Sequence, residues 1–259
     1  MEVQGCLIGR RDSLIPYCLS FKKGRIMRYK VNKNKLDIID TEEKAYWIGF
    51  IWCDGYNSIR YRGAKPTYEF KLSLQESDIG HLVKFKNFME STHPIKIYKL
   101  SSCFDNSQNE ARFLLANTQF GKTLDDKYGL IPNRTDVTKL IKNIPDNLLN
   151  HFIRGIFDAD GSFTKYKCND GGYIVNKYSI TFTTNMYLLD FINSVLYKEG
   201  LSQTKTRKYQ QRHEGRDGIC RALVYSGKPT CKNILDWLYK DATIYLDRKY
   251  DKYINMFQK

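Results

Sequence analysis

The stretch "FIRGIFDADGSF", residues 152–163, decides how the rest of the chain is read. Apolar Phe152, Ile153, Ile156 and Phe157 recur at helical spacing, with Gly155 among them. The run then stops at Asp160-Gly161, where packing gives no reason for a carboxylate. A glycine inside a helix costs about 1 kcal/mol relative to alanine, so Gly155 also needs a packing reason.

The same frame occurs earlier, in "AYWIGFIWCDGYNSI" at 45–59. Gly49 and Gly155, Asp54 and Asp160, and Gly55 and Gly161 are each separated by 106 residues. Asp40 and Asp146 share that spacing and read as helix N-caps, Asp40 with Glu43 as a capping box. Each helix is expected to run about four turns and to stop at its Asp-Gly.

The segments after the two helices repeat as well. "TYEFKLSL" (67–74) alternates Tyr68, Phe70, Leu72 and Leu74 with Thr67, Glu69, Lys71 and Ser73. "KYSITFTT" (177–184) alternates Tyr178, Ile180 and Phe182 with Lys177, Ser179, Thr181 and Thr183. Period two describes strands with one face on a core and one polar face. Shorter strands at 56–62 and 162–167 precede them, so each half opens with a hairpin. Helical patterns at 77–90 and 186–198 come next, then the strand pairs "PIKIYKL" with "ARFLLAN" and "TKTRKYQ" with "GICRALVYS". Helices over 118–126 and 228–239 close the halves. The expected fold class is α+β, a tandem pseudo-twofold αββαββα repeat, because two copies cannot propagate as a solenoid. The expected boundaries are a basic N-terminal extension at 1–39, a first repeat at 40–142 and a second at 143–259.

The 259 residues carry 42 Lys+Arg against 28 Asp+Glu, a net charge of +14, which favours a polyanionic partner. No run of eighteen apolar residues is present, which excludes a membrane-spanning helix. Seven scattered cysteines without a C-x-x-C pair argue against a disulfide framework or a zinc site. With no secretory pattern at the N-terminus, they point to a reducing compartment, cytoplasm or organelle matrix.

If Gly49 and Gly155 face each other, the two helices pack along the pseudo-twofold axis and bring Asp54 and Asp160 together. Two adjacent carboxylates repel unless they share a proton or bind cations. Mg²⁺ suits such an oxygen site when phosphate and water complete it. The polar strand faces then form a basic saddle for duplex DNA. The expected contacts are Ser58, Arg60, Arg62, Glu69 and Lys71 in the first half. In the second they are Ser162, Thr164, Lys177, Thr181 and Thr183, with Lys205, Arg207 and Arg221 on later strands. Arginine there suits guanine edges and lysine suits phosphates.

"WIGFIWCDG" (47–55) and "IRGIFDADG" (153–161) resemble the two signature helices of the LAGLIDADG homing endonucleases, in their single-chain, two-repeat form. In the first copy Trp52 and Cys53 replace the Asp and Ala of the name, and the final Asp-Gly is kept. The resemblance covers about 40–259, including "GLIPNRT" (129–135) and "YLDRKYDKY" (245–253). It implies a monomeric mobile-element enzyme of intron homing. Such an enzyme makes double-strand breaks in a long double-stranded DNA target and leaves short 3′ overhangs. It further implies that Asp54 and Asp160 are the metal-binding catalytic acids, assisted by the main-chain carbonyls of Cys53 and Ala159. Lys249 and Arg134 would be basic helpers, and Gln75 would order water. Mg²⁺ would be the cofactor, with Mn²⁺ substituting and Ca²⁺ supporting binding without cleavage. Asp158 reads as structural, since Trp52 takes its place in the first copy. The same fold also serves RNA maturases that assist intron splicing and non-cutting DNA-binding regulators, and both stay open as alternatives.

Overall fold

The computed structural model describes residues 29–99, 109–132, 136–203, 210–215 and 218–258. The first half begins with helix α1 (Glu42–Asp54), which runs directly into the hairpin β1 (Gly55–Arg62) and β2 (Lys65–Gln75). Helix α2 (Ile79–Phe88), strands β3 (Ile95–Tyr98) and β4 (Glu110–Ala116), and helices α3 (Thr118–Tyr128) and α4 (Thr138–Lys142) complete it. The second half repeats the order with α5 (Leu149–Asp160), β5 (Ser162–Asp170), β6 (Tyr173–Thr184) and α6 (Met186–Lys198). It continues through β7 (Gln210–Gly215), β8 (Gly218–Ser226), α7 (Lys228–Tyr239) and α8 (Asp247–Phe257).

Each half has one antiparallel four-stranded sheet, ordered β1-β2-β4-β3 and β5-β6-β8-β7. The identical order is the structural counterpart of the repeated sequence. Two elements exceed the αββαββα pattern, because α4 and α8 come after α3 and α7. Of the expected strand at 204–210, Gln210 opens β7, and 204–209 lie outside the described residues.

α1 explains how the halves join. Ala45 to Trp52 are all buried, including Tyr46, Trp47, Phe50 and Trp52. A helix apolar all round has no solvent face and must sit at the centre of the fold. One side packs on α5; another packs on α2, where Trp47 meets Phe85 edge-on at 4.9 Å. The apolar strand faces, Phe70 and Leu72 in β2 and Tyr178, Ile180 and Phe182 in β6, join one core continuous through α1 and α5. The opposite sheet faces are open: Tyr56 and Tyr166 are large exposed side chains on them.

The helix ends differ from expectation. Thr41, not Asp40, caps α1 by accepting from the Lys44 N–H, while Asp40 pairs with the Lys44 ammonium at 2.7 Å. Asp146 opens a short 3₁₀ turn after Pro145, and α5 starts at Leu149 with no side-chain cap. Gly55 and Gly161 are extended, at φ −82° and −83°, so neither is a left-handed helix stop. They are glycine for room. A Cβ at Gly161 would stand 2.2 Å from the Phe157 ring, and one at Gly55 would stand 2.3 Å from the Ile51 carbonyl oxygen.

Candidate active site and nucleic-acid interface

The two central glycines bring α1 and α5 into backbone contact. A Cβ at Gly49 would lie 2.2 Å from the Phe152 carbonyl oxygen, and one at Gly155 would lie 2.1 Å from that of Tyr46. Each glycine thus lies against the main chain of the other helix, and the helix tips carry Asp54 and Asp160 to one place.

Electrostatics register that meeting. Burial first, and then the charge of Asp160, push the Asp54 carboxyl up to about 7. Lys249 and Arg248 pull the other way, and Asp78 adds to the rise. A second negative charge is therefore disfavoured here, as expected for paired acids held in a low dielectric. Among the described residues no three His, Cys, Asp or Glu side chains cluster at metal-ligand spacing. A cation at this site would need main-chain, phosphate or water oxygens beyond the two carboxylates. That donor set fits a hard divalent ion.

Lys249 lies beneath the tip of α5. Its buried ammonium donates to the carbonyls of Phe157 (2.6 Å), Asp158 (2.7 Å) and Gly161 (2.6 Å). An ammonium has three donors, and three carbonyls take them all. Burial lowers the group to about 8, with Asp158 the largest opposing influence. This corrects the expectation that Lys249 is a helper facing a scissile phosphate: its hydrogen bonds hold the end of the helix. Gln75 ends β2, exposed and opposite Glu110, three residues before Asp78. Arg134, Lys205, Arg207 and the side chain of Arg62 lie outside the described residues.

On the open face of the first sheet, Ser58 stands opposite Glu69, Arg60 opposite Thr67 and Tyr56 opposite Lys71. Arg60 pairs loosely with Glu69 at 3.4 Å, and the Lys71 ammonium sits over the Tyr56 ring at 5.5 Å. The Ser58 hydroxyl donates to the Glu69 carbonyl. The second open face is rich in hydroxyls. Ser162 and Thr164 are exposed, Thr164 meets Ser179 at 2.9 Å, and Lys177 pairs with Asp170 at 3.1 Å.

Two expected contacts are corrected. Thr181 is buried, hemmed in by Ser162 and Val224 on the neighbouring strands. Arg221 pairs with Thr184 and shares the parity of Leu223 and Tyr225, so the register places it on the helix-covered side. Thr183, opposite Ala222, keeps the outward parity. The sequence reading also missed Arg112, which shares the first open face with Ser73 and Lys96 and carries Tyr98 against its guanidinium at 4.3 Å. Alternation of Ala111, Phe113 and Leu115 inward would have marked it.

Two packed glycine-bearing helices carry an acid at each tip and are flanked by two open antiparallel sheets. Residues 147–232 match the LAGLIDADG-like domain family. The chain also aligns along most of its length with three solved LAGLIDADG proteins. I-SmaMI bound to an uncleaved DNA target in the presence of calcium ions is 14% identical, at a TM-score of 0.55, over 84% of this chain and 90% of that one. The I-LtrWI LAGLIDADG homing endonuclease bound to target DNA is 12% identical, at 0.55, over 84% and 91%. The meganuclease I-AabMI bound to uncleaved DNA is 14% identical, at 0.51, over 80% and 86%. No curated protein sequence matches the chain. Residues 147–232 thus resemble a LAGLIDADG-like domain, and the chain as a whole shares the fold of these LAGLIDADG proteins.

Proposed function

We propose that this protein is a site-specific DNA endonuclease that hydrolyses one phosphodiester in each strand of a long duplex target. The reading rests on one observation above all: Asp54 and Asp160 converge at the tips of two helices packed backbone to backbone, between two open sheet faces of a chain with net charge +14. The DNA carried by I-SmaMI, I-LtrWI and I-AabMI supports duplex DNA as the partner.

In this reading Asp54 and Asp160, with the main-chain carbonyls of Cys53 and Ala159, hold divalent cations, Mg²⁺ in the working enzyme. Such an ion lowers the pKa of a bound water and stabilises the leaving oxygen. The chain's own residues supply position. The glycine contacts fix the spacing of the acids, Lys249 fixes the end of α5, and the strand faces set the register of the duplex. Arg60 and Glu69 would read base edges, and Lys71 and Lys177 would hold phosphates. The product would be a double-strand break with short 3′ overhangs, made by a monomer whose two repeats serve one strand each.

The deciding experiment incubates the full chain with a randomised duplex library in Mg²⁺ or in Ca²⁺, and repeats it with Asp160→Asn. Site-specific double-strand cleavage in Mg²⁺ alone, reduced to nicking or lost in the variant, is the expected result. Specific DNA binding without cleavage under every divalent metal would overturn it in favour of a non-cutting regulator. Binding only to structured intron RNA would overturn it in favour of a maturase.

A further inference from the structure

Asp158 is fully buried two residues before Asp160, yet its carboxylate faces away from solvent into the junction of four elements. It accepts from the Tyr46 hydroxyl of α1 at 2.9 Å, the Tyr239 hydroxyl of α7 at 2.9 Å and the Leu246 N–H at 2.8 Å. Tyr46 gives its only hydroxyl proton to Asp158, so the 3.0 Å contact with His81 Nε2 has the imidazole as donor. Burial lowers His81 to about 3, which keeps it neutral.

Leu246 is the residue from which α8 starts, and α8 has no side-chain cap. The Lys249 and Tyr250 N–H groups both return to the Leu246 carbonyl. Asp158 therefore fixes the first turn of α8 from one end, and Lys249 fixes it from the other through the carbonyls of Phe157, Asp158 and Gly161. The first repeat grips the same turn. Arg248 donates to Asp78 at 2.9 Å, and Lys84 donates to Asp247 at 2.5 Å and to the Tyr245 carbonyl at 3.0 Å. This turn thus fastens the tip of α5 to the first repeat, and the charges of Lys249 and Arg248 act on Asp54. On α1 the position 106 residues earlier is Trp52, whose indole offers a donor and no acceptor.

We propose that Asp158 is a positioning residue that sets the α8 turn and, through the Lys249 clamp on the carbonyls of Phe157, Asp158 and Gly161, the tip of α5 that carries Asp160, whereas the matching position of α1 is Trp52. The two strand cuts are consequently unequal: the one that depends on Asp160 also depends on Asp158. The inference rests on the endonuclease reading.

The test uses the full chain and a supercoiled plasmid carrying the site that the wild-type chain recovers from a randomised duplex library. The amide in Asp158→Asn keeps one acceptor oxygen and adds two donors, so it cannot accept all three bonds. A purely structural loss would slow both cuts in proportion to the folded fraction. Positioning predicts instead that nicked circles accumulate, because sub-ångström to 1 Å misplacement slows one cut by roughly tenfold to a hundredfold. The first cut, normalised to the folded fraction that the melting curve gives, and duplex binding in Ca²⁺ would stay close to wild type. Tyr46→Phe removes one donor and should show the same imbalance more weakly; it decides the matter if Asp158→Asn does not fold. Equal slowing of both cuts, or an unchanged ratio of nicked to linear product, overturns the inference while leaving the endonuclease reading intact. A wild-type chain that cuts no site removes that reading, and the inference with it.

Discussion

Glu42, in the first turn of α1, accepts a hydrogen bond at 2.7 Å from Arg154, midway along α5, and the guanidinium is fully buried. Arg154 also donates to the carbonyls of Ile244 and Leu238, and Glu42 also accepts from the N–H and hydroxyl of Thr243. The pair thus ties both signature helices to the segment leading into α8. Glu42 is half-buried, and removing it strands the fully buried Arg154 charge at a cost of about 3–5 kcal/mol. The positions 106 residues away hold Leu148 and Ile48, both buried, so the opposite seam of the pseudo-twofold interface is apolar. Glu42→Leu and Arg154→Ile, each alone, should destabilise by about that amount in urea titrations. The double variant, which copies the Leu148 and Ile48 seam, should be more stable than either single one. Additive losses would mean that the two charges do not depend on each other.

This pair also marks where the sequence stops being informative. The helices, their glycines and their terminal acids were legible because each signal is local and appears twice at one spacing. Period two likewise gave the outward set on β1 and β2. Arg154 was not legible, because its partners Glu42 and Ile244 lie far off in the chain and an arginine in an apolar helix gives no hint of them. Arg221 was misassigned for a related reason: which face it occupies depends on its register with Thr184, and a slip of one residue reverses the answer. The caps failed because Asp40 had a better use, an ion pair with Lys44, than the cap that Thr41 supplies.

Stability should depend on pH through Asp54. Its carboxyl is held near 7, by burial first and by Asp160 second, against an ordinary value near 4. Between those values the folded chain binds more protons than the unfolded one, so unfolding free energy falls as pH rises and levels off above about 7. Metal-free wild type should therefore lose more thermal stability between pH 5 and pH 8 than Asp54→Asn does. Mg²⁺ should restore wild type at pH 8 and leave the variant unchanged. Equal losses in the two proteins, measured by melting in chelator, would show that neither burial nor Asp160 raises Asp54.

The open strand faces make a graded prediction about recognition. Arg60 is exposed on β1 beside Glu69, so Arg60→Ala should relax selectivity at one position of a selected site by about 1–3 kcal/mol. Thr181 shares the outward parity of its sheet but is buried. Thr181→Ser should leave the selected sequence unchanged. Parallel selections from a randomised library separate the two cases, and a shift caused by Thr181→Ser would mean that the second sheet opens when DNA binds.

Glycine at three helical positions provides the sharpest contrast. In α1 and α5 a methyl at Gly49 or Gly155 would collide with main-chain atoms of the partner helix at 2.2 and 2.1 Å, and main chain cannot rotate aside. Gly49→Ala and Gly155→Ala should each force the helices apart and destabilise by about 1–3 kcal/mol or more, as overpacking does. They should also spread the two acids and lower the shifted titration of Asp54 toward its ordinary value. Gly80 in α2 is exposed, and a Cβ there would meet nothing within 4 Å. Gly80→Ala should instead stabilise the chain by about 1 kcal/mol, because alanine orders a helix at lower entropic cost. Melting curves of the three variants test this directly. Stabilisation by Gly49→Ala or Gly155→Ala would mean that the two signature helices do not touch where the acids are brought together.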